Sequence, residues 1–224
     1  MADRAILIDV DGTLVDSTYL HAVAWAGALR THGIDIPTAR SHRLIGMQGS
    51  RLLAELIGEE RAAPIAEQAE EEHSRRFKGL RDQVFPLTGA RRLLEGLRAR
   101  EVPVVLTSSA QEEEIKHYLG LLGAGHLVAG WTSAGDVEHS KPDPEPVLAA
   151  LEKSGCRQGL VIGDSPWDVI AAKGAGLPAA AVRTGGFATS ELEESGAAIV
   201  CEDLDELCDR LDEVVALAGQ TALA

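Results

Sequence analysis

The sequence predicts an α/β protein whose parallel sheet, covered by helices, is interrupted once by an all-helical insertion. Three observations carry that prediction. Short apolar runs rich in β-branched residues recur along the chain, helical patterns separate them, and residues 16–85 hold helical patterns without a convincing strand.

The elements follow in order. The run "AILIDV" is a strand fit for burial on both faces, and it opens the chain almost at once. Helical patterns then come in succession: "YLHAVAWAGALRTHG", "GSRLLAELIG" and "PIAEQAEEEHSRRFKG". The chain returns through "FPLTGA" to a helix, "TGARRLLEGLRARE", and a strand, "VPVVLTS". Beyond these, helix and strand alternate: "AQEEEIKHYLGLLG", "HLVAGW", "DPEPVLAALEKSG", "GLVIGD", "SPWDVIAAKGAG", "AAAVRTGG" and "AAIVCED". Pro146 suits a first helical turn, and Gly155 and Gly176 suit helix C-terminal caps. Such alternation requires right-handed crossovers and gives a Rossmann-like parallel sheet. The expected organisation is a core domain of residues 1–15 and 86–224 and a helical domain of residues 16–85, with candidate hinges near Asp16 and Phe85. No repeat or low-complexity linker is present.

Charge and cysteine content narrow the function. The net charge is −14, which argues against a general affinity for nucleic acid or anionic membrane. Between Glu191 and Glu213 ten acids face one base, so that segment carries −9 of the total and reads as a solvated helix face. From Asp16 to Phe85 ten acids nearly balance nine bases, so this segment could supply cations to an anionic substrate. No apolar run approaches the roughly 20 residues that cross a bilayer, and Met1–Arg4 leads straight into a strand, so the chain is expected to be cytoplasmic. Three cysteines (Cys156, Cys201, Cys208) without metal-ligand spacing imply inert thiols in a reducing compartment.

Parallel α/β sheets place their ligand site at the carboxyl ends of the strands. Asp9 and Asp11 follow the first strand, Thr107, Ser108 and Ser109 the second, and Asp164 the strand "GLVIGD", with Asp168 one helical turn on. Lys141 lies in "HSKPDPEP", just before a helix. Acids spaced i, i+2 share a face of an extended chain and repel one another. A divalent cation removes that conflict, and hard oxygen ligands suit Mg²⁺. A hairpin at the Asp-Gly pair is the structural alternative, but "TLVDSTYL" does not return as a matched strand. An EF-hand does not fit, because the glycine directly follows the second acid and no bidentate Glu closes a twelve-residue loop.

"DVDGTLVD", the hydroxyls after "VPVVL", Lys141 before "PDP", and "VIGDSPWDV" together resemble the four motifs of the haloacid dehalogenase superfamily, over about Ala5–Gly186. "DSTYLHAVAWAGAL" further resembles the subgroup of β-phosphoglucomutase and phosphoglycolate phosphatase-like enzymes, whose helical cap is inserted at this point. The resemblance implies a Mg²⁺-dependent phosphatase acting on a small phosphorylated metabolite. Asp9 would be the nucleophile that forms an aspartyl-phosphate, and Asp11 the general acid and then base. Thr13 would support the loop. Ser108, with Ser109 beside it, and Lys141 would hold the phosphoryl group. Asp9, Asp164 and the Asp11 backbone carbonyl would bind the metal, with Asp168 either a further ligand or a support behind the ligands, a plain first-turn helix acid being its structural reading. In the cap, His21 and Arg51 are the substrate candidates, with Trp25 favoured as core and Lys78 as solvated surface, like the rest of "HSRRFK". No nucleic-acid or membrane partner is expected, and the chain should be a monomer or weak homodimer.

Rival activities differ in residues. A haloalkanoate dehalogenase needs no acid at Asp11, and a phosphonatase would alter that acid and use a cap lysine as an imine former. A β-phosphoglucomutase would want a cation shortly after Ser108, where "SSAQEEE" brings acids instead. A non-catalytic binding or regulatory protein on the same fold would be expected to lose one of Asp9, Asp11, Lys141 and Asp164, all of which are present.

Overall fold

The computed structural model describes residues 3–219. In chain order the elements are β1 (Arg4–Ile8), α1 (Thr18–Thr31), α2 (Thr38–His42), α3 (Gly49–Ile57), α4 (Glu59–Ala62), α5 (Ala66–Lys78), α6 (Ala90–Ala99), β2 (Val104–Thr107), α7 (Glu112–Leu122) and β3 (Gly130–Thr132). They continue with α8 (Glu145–Ser154), β4 (Gln158–Gly163), α9 (Pro166–Gly174), β5 (Ala179–Val182), α10 (Thr189–Ser195), β6 (Ile199–Cys201), α11 (Leu204–Asp209) and α12 (Leu211–Leu217).

The strands form one sheet in the order β3-β2-β1-β4-β5-β6, and every pairing is parallel. Continuous apolar strands fit that arrangement, because helices cover both faces. On one face Leu7, Val105, Val161 and Ala181 pack against Val147 and Ala150 of α8, Val169 and Ala172 of α9, and Leu192 of α10. Helices α6 and α12 pack on β2 and β4. The third run makes a strand only over Gly130–Thr132, at the sheet edge, because Leu127 is drawn into a turn that closes on Ala124. The acids of the C-terminal segment are solvated, yet several are paired: Asp205 and Asp209 with Arg92, and Asp212 with Arg100.

By internal contacts the chain divides into two compact units, Met1–Asp16 with Pro86–Ala224, and Ser17–Phe85. Within the second unit α1 packs on α5, and the α5 side chain Arg76 crosses α1 at Gly27, where a Cβ would stand 2.7 Å from its Nη1. The stretch "HSRRFK" is therefore not wholly solvated. His73 and Phe77, one turn apart on α5, turn inward and stack on α1, while Arg75 and Lys78 stay exposed.

Candidate active site

Register brings the candidate residues to one level. Ile8 pairs with Leu106 on one side and with Ile162 on the other, so the first residues beyond these strand ends come side by side. The Asp9 amide still donates to the Ile162 carbonyl at 2.9 Å, and the Ser108 amide to Thr132 at 3.2 Å. The order β2-β1-β4 also puts the change of winding direction at β1, where a doubly wound sheet opens its crevice.

Asp9, Asp164 and Asp168 are buried together, each offering a carboxylate oxygen within 4.8 Å of the others. Thr13 Oγ1 donates to Asp164 Oδ1 at 3.0 Å and lies 3.4 Å from Asp9 Oδ2. Lys141, only 3% exposed, forms a short ion pair with Asp9, lies 2.7 Å from Asp168 Oδ1, and donates to the Thr107 carbonyl at 3.2 Å. Asp168 also caps α9. Its Oδ2 accepts from the Ser165 hydroxyl at 2.5 Å and the Ser165 amide at 3.2 Å, so the helix-capping role and the cluster role coexist.

The electrostatics are unbalanced. With all three carboxylates ionised, the single ammonium would leave two negative charges in a buried space. Burial pushes the Asp9 carboxyl up to about 8; Lys141 opposes that rise, and Asp168 and Asp11 add to it. Burial, then Asp168 and Asp9, likewise raise Asp164 well above the ordinary range. For Lys141 burial works against the charge, but Asp168 and Asp9 outweigh it and hold the proton more tightly than usual. The residues fit a divalent cation. Its two charges match the deficit, and Asp168 Oδ1 accepts no well-directed hydrogen bond although it is buried.

Ser108 is buried and accepts the Ala110 amide at 3.0 Å, which leaves its own proton available to a ligand oxygen. Ser109 is half-buried. Thr107 Oγ1 is fully buried and unpartnered, and this residue serves Lys141 through its carbonyl. The half-buried Asp11 side chain stands outside the three-carboxylate group and faces the Tyr118 hydroxyl. Tyr118, 1% exposed, donates to Glu114 at 3.1 Å; burial first, then Asp11 and Glu114, drive its pKa far upward.

In the second unit His21 is buried with its ring centroid 3.7 Å from that of Phe77, and its Nδ1 lies 3.1 Å from His73 Nε2. Trp25 stacks on His73 at 4.3 Å. Arg51 is exposed in the first turn of α3.

Sequence reasoning missed Tyr118, Thr184 and Gly185. Tyr118 lies on the apolar face shared by Ile115, Leu119 and Leu122 and reads as core, and "RTGG" reads as the end of the strand run "AAAVRTGG", whereas the strand stops at Val182. Only the fold shows that Thr184 Oγ1 donates to the Gly12 carbonyl at 2.5 Å and that Gly185 abuts Asp164.

A doubly wound sheet with buried carboxylates, a lysine and hydroxyls gathered at its strand ends has the composition of an enzyme's active site. Residues 4–176 match the family model described as haloacid dehalogenase-like hydrolase, and the chain belongs to that family. Among its relatives, the phosphoglycolate phosphatase of Chromobacterium violaceum is 31% identical over 220 residues, spanning 92% of this chain and 95% of that protein. The validoxylamine A 7'-phosphate phosphatase of Streptomyces hygroscopicus subsp. limoneus is 29% identical over 178 residues, with 78% and 83% covered. A crystal structure described as a hydrolase from Pseudomonas syringae superposes with a TM-score of 0.88 at 34% identity, covering 94% of this chain and 99% of that one.

Proposed function

We propose that the protein is a Mg²⁺-dependent phosphatase that hydrolyses a small phosphomonoester, such as a sugar phosphate or a phosphoglycolate-like acid, through an aspartyl-phosphate. The observation that carries this reading is the buried cluster of three carboxylates and Lys141, two positive charges short of neutrality at the carboxyl end of a parallel sheet. The names of the relatives support the substrate class.

Asp9 acts as the nucleophile. One of its oxygens bonds to phosphorus as the bond to the substrate's ester oxygen breaks, and Asp11 gives that leaving oxygen its proton. Asp11, now ionised, takes a proton from water as the water attacks the aspartyl-phosphate, releasing inorganic phosphate and restoring Asp9. Ser108 and Ser109 donate to the phosphoryl oxygens. Lys141 balances charge on both Asp9 and the phosphoryl group, where most of the acceleration in such reactions arises. Asp9, Asp164, Asp168 and the Asp11 carbonyl would hold the magnesium, which supplies charge neutralisation when bound. The acids Glu112–Glu114, in the first turn of α7, favour hydrolysis over transfer between doubly phosphorylated sugars. Substrate selection is assigned to the helical unit, with His21 and Arg51 as its candidates.

Phosphate release from a simple aryl phosphate tests the reading. Turnover should need added Mg²⁺ and disappear with EDTA. Full turnover in EDTA would reject it.

A further inference from the structure

Asp164 is held on two sides. On one, Thr13 Oγ1 donates to its Oδ1 at 3.0 Å. The other side is bare backbone. The 3₁₀ turn Arg183–Gly185 follows β5 and brings Gly185, itself buried, against the carboxyl group. A Cβ at position 185 would overlap Asp164 Oδ2 and stand 2.6 Å from its Cγ and 2.9 Å from its Cβ. No real Cβ approaches other atoms so closely. Backbone freedom does not explain this glycine, since the positive φ of the turn, 85°, falls on Gly186. What position 185 provides is space. Its neighbour Thr184 fastens the same turn to the loop after β1 by donating to the Gly12 carbonyl at 2.5 Å. One short segment thus touches both stretches that supply the acids.

We infer that Gly185 is a positioning residue. Its missing side chain leaves room for the rotamer in which Asp164 faces Asp9 and Asp168, and Thr184 fastens the turn that presents it. A methyl group there would take the space of the carboxylate and turn Asp164 out of the cluster. The inference deepens the proposed cation site and rests on that reading for its functional consequence.

A stability cycle on the full chain tests the contact without any metal. In EDTA, Gly185→Ala should lower Tm by about 3–10 °C when Asp164 is present, but by less than about 2 °C in an Asp164→Ala background, where the space is vacated. Equal losses in both backgrounds would overturn the inference. Should Gly185→Ala alone not fold, a folded double variant supports the clash, and failure of both overturns it. Calorimetric titration with Mg²⁺ alone reads the consequence. Gly185→Ala should weaken binding about 10–100-fold, whereas Gly120→Ala, in open space on α7, should leave it unchanged. Unchanged affinity in Gly185→Ala would also overturn the inference. If the unaltered protein takes up no Mg²⁺, the cation reading fails, and the stability cycle still decides whether Gly185 places Asp164.

Discussion

Two buried clusters of polar side chains, one in each unit, resolve their burial in opposite ways. At the strand ends Asp9, Asp164 and Asp168 face one lysine, so like charges stay crowded and an oxygen of Asp168 lacks a directed donor. In the helical unit His21, Trp25, His73 and Phe77 stack as near-parallel rings, and the His21–His73 contact at 3.1 Å lets one imidazole donate to the other. The second cluster resolves its polar groups by pairing and packing. The first keeps an electrostatic deficit that packing does not relieve, and a fold tolerates such a deficit where a ligand of the opposite charge completes it.

The sharpest way to break this contrast is to alter each cluster and ask what is lost. Asp9→Asn leaves the shape of the side chain but removes the nucleophile. Phosphomonoester turnover should fall about a thousandfold or more, while Tm in EDTA should not drop, because one of the crowded carboxylates is gone. Steady-state kinetics and a thermal melt measure both; retained turnover would remove Asp9 from the chemistry. The opposite profile belongs to the ring stack. Phe77→Ala should destabilise the protein by about 3 kcal/mol, roughly 6–12 °C in Tm, with far less loss of turnover per folded molecule than Asp9→Asn causes. A Phe77→Ala protein that kept its Tm and lost its turnover would give the ring stack a chemical role and end the distinction.

The two regions also differ in how far their sequence could be read. Asp9, Lys141 and Asp164 stand at strand ends or beside helix starts, and the strands betray themselves by continuous apolar runs; knowing that strands of a parallel sheet end together is enough to gather those residues. The ring stack offers no such rule. His73 and Phe77 sit amid "EEEHSRRFK", where six of nine side chains are charged, so the local pattern says solvent, and only the packing of α5 on α1 turns those two inward. Gly185 was hidden for another reason. Its requirement is the absence of atoms next to a residue 21 positions earlier, and that is a property of three-dimensional spacing.

The last expected effect follows from the deficit itself. Asp9 releases its proton near pH 4 in the unfolded chain but only near 8 in the folded one, and burial raises Asp164 in the same direction. Between those values the native state binds more protons than the unfolded state, so without metal its stability should fall as pH rises from about 4 to 8. A dication reverses the sense by favouring the ionised carboxylates and expelling their protons. Melting in EDTA should therefore occur at lower temperature as pH rises across this window, and saturating Mg²⁺ should restore more at pH 8 than at pH 5. A magnesium effect equal at both pH values would mean that the strand-end carboxylates are already ionised without a cation, and that the two clusters differ less than their geometry suggests.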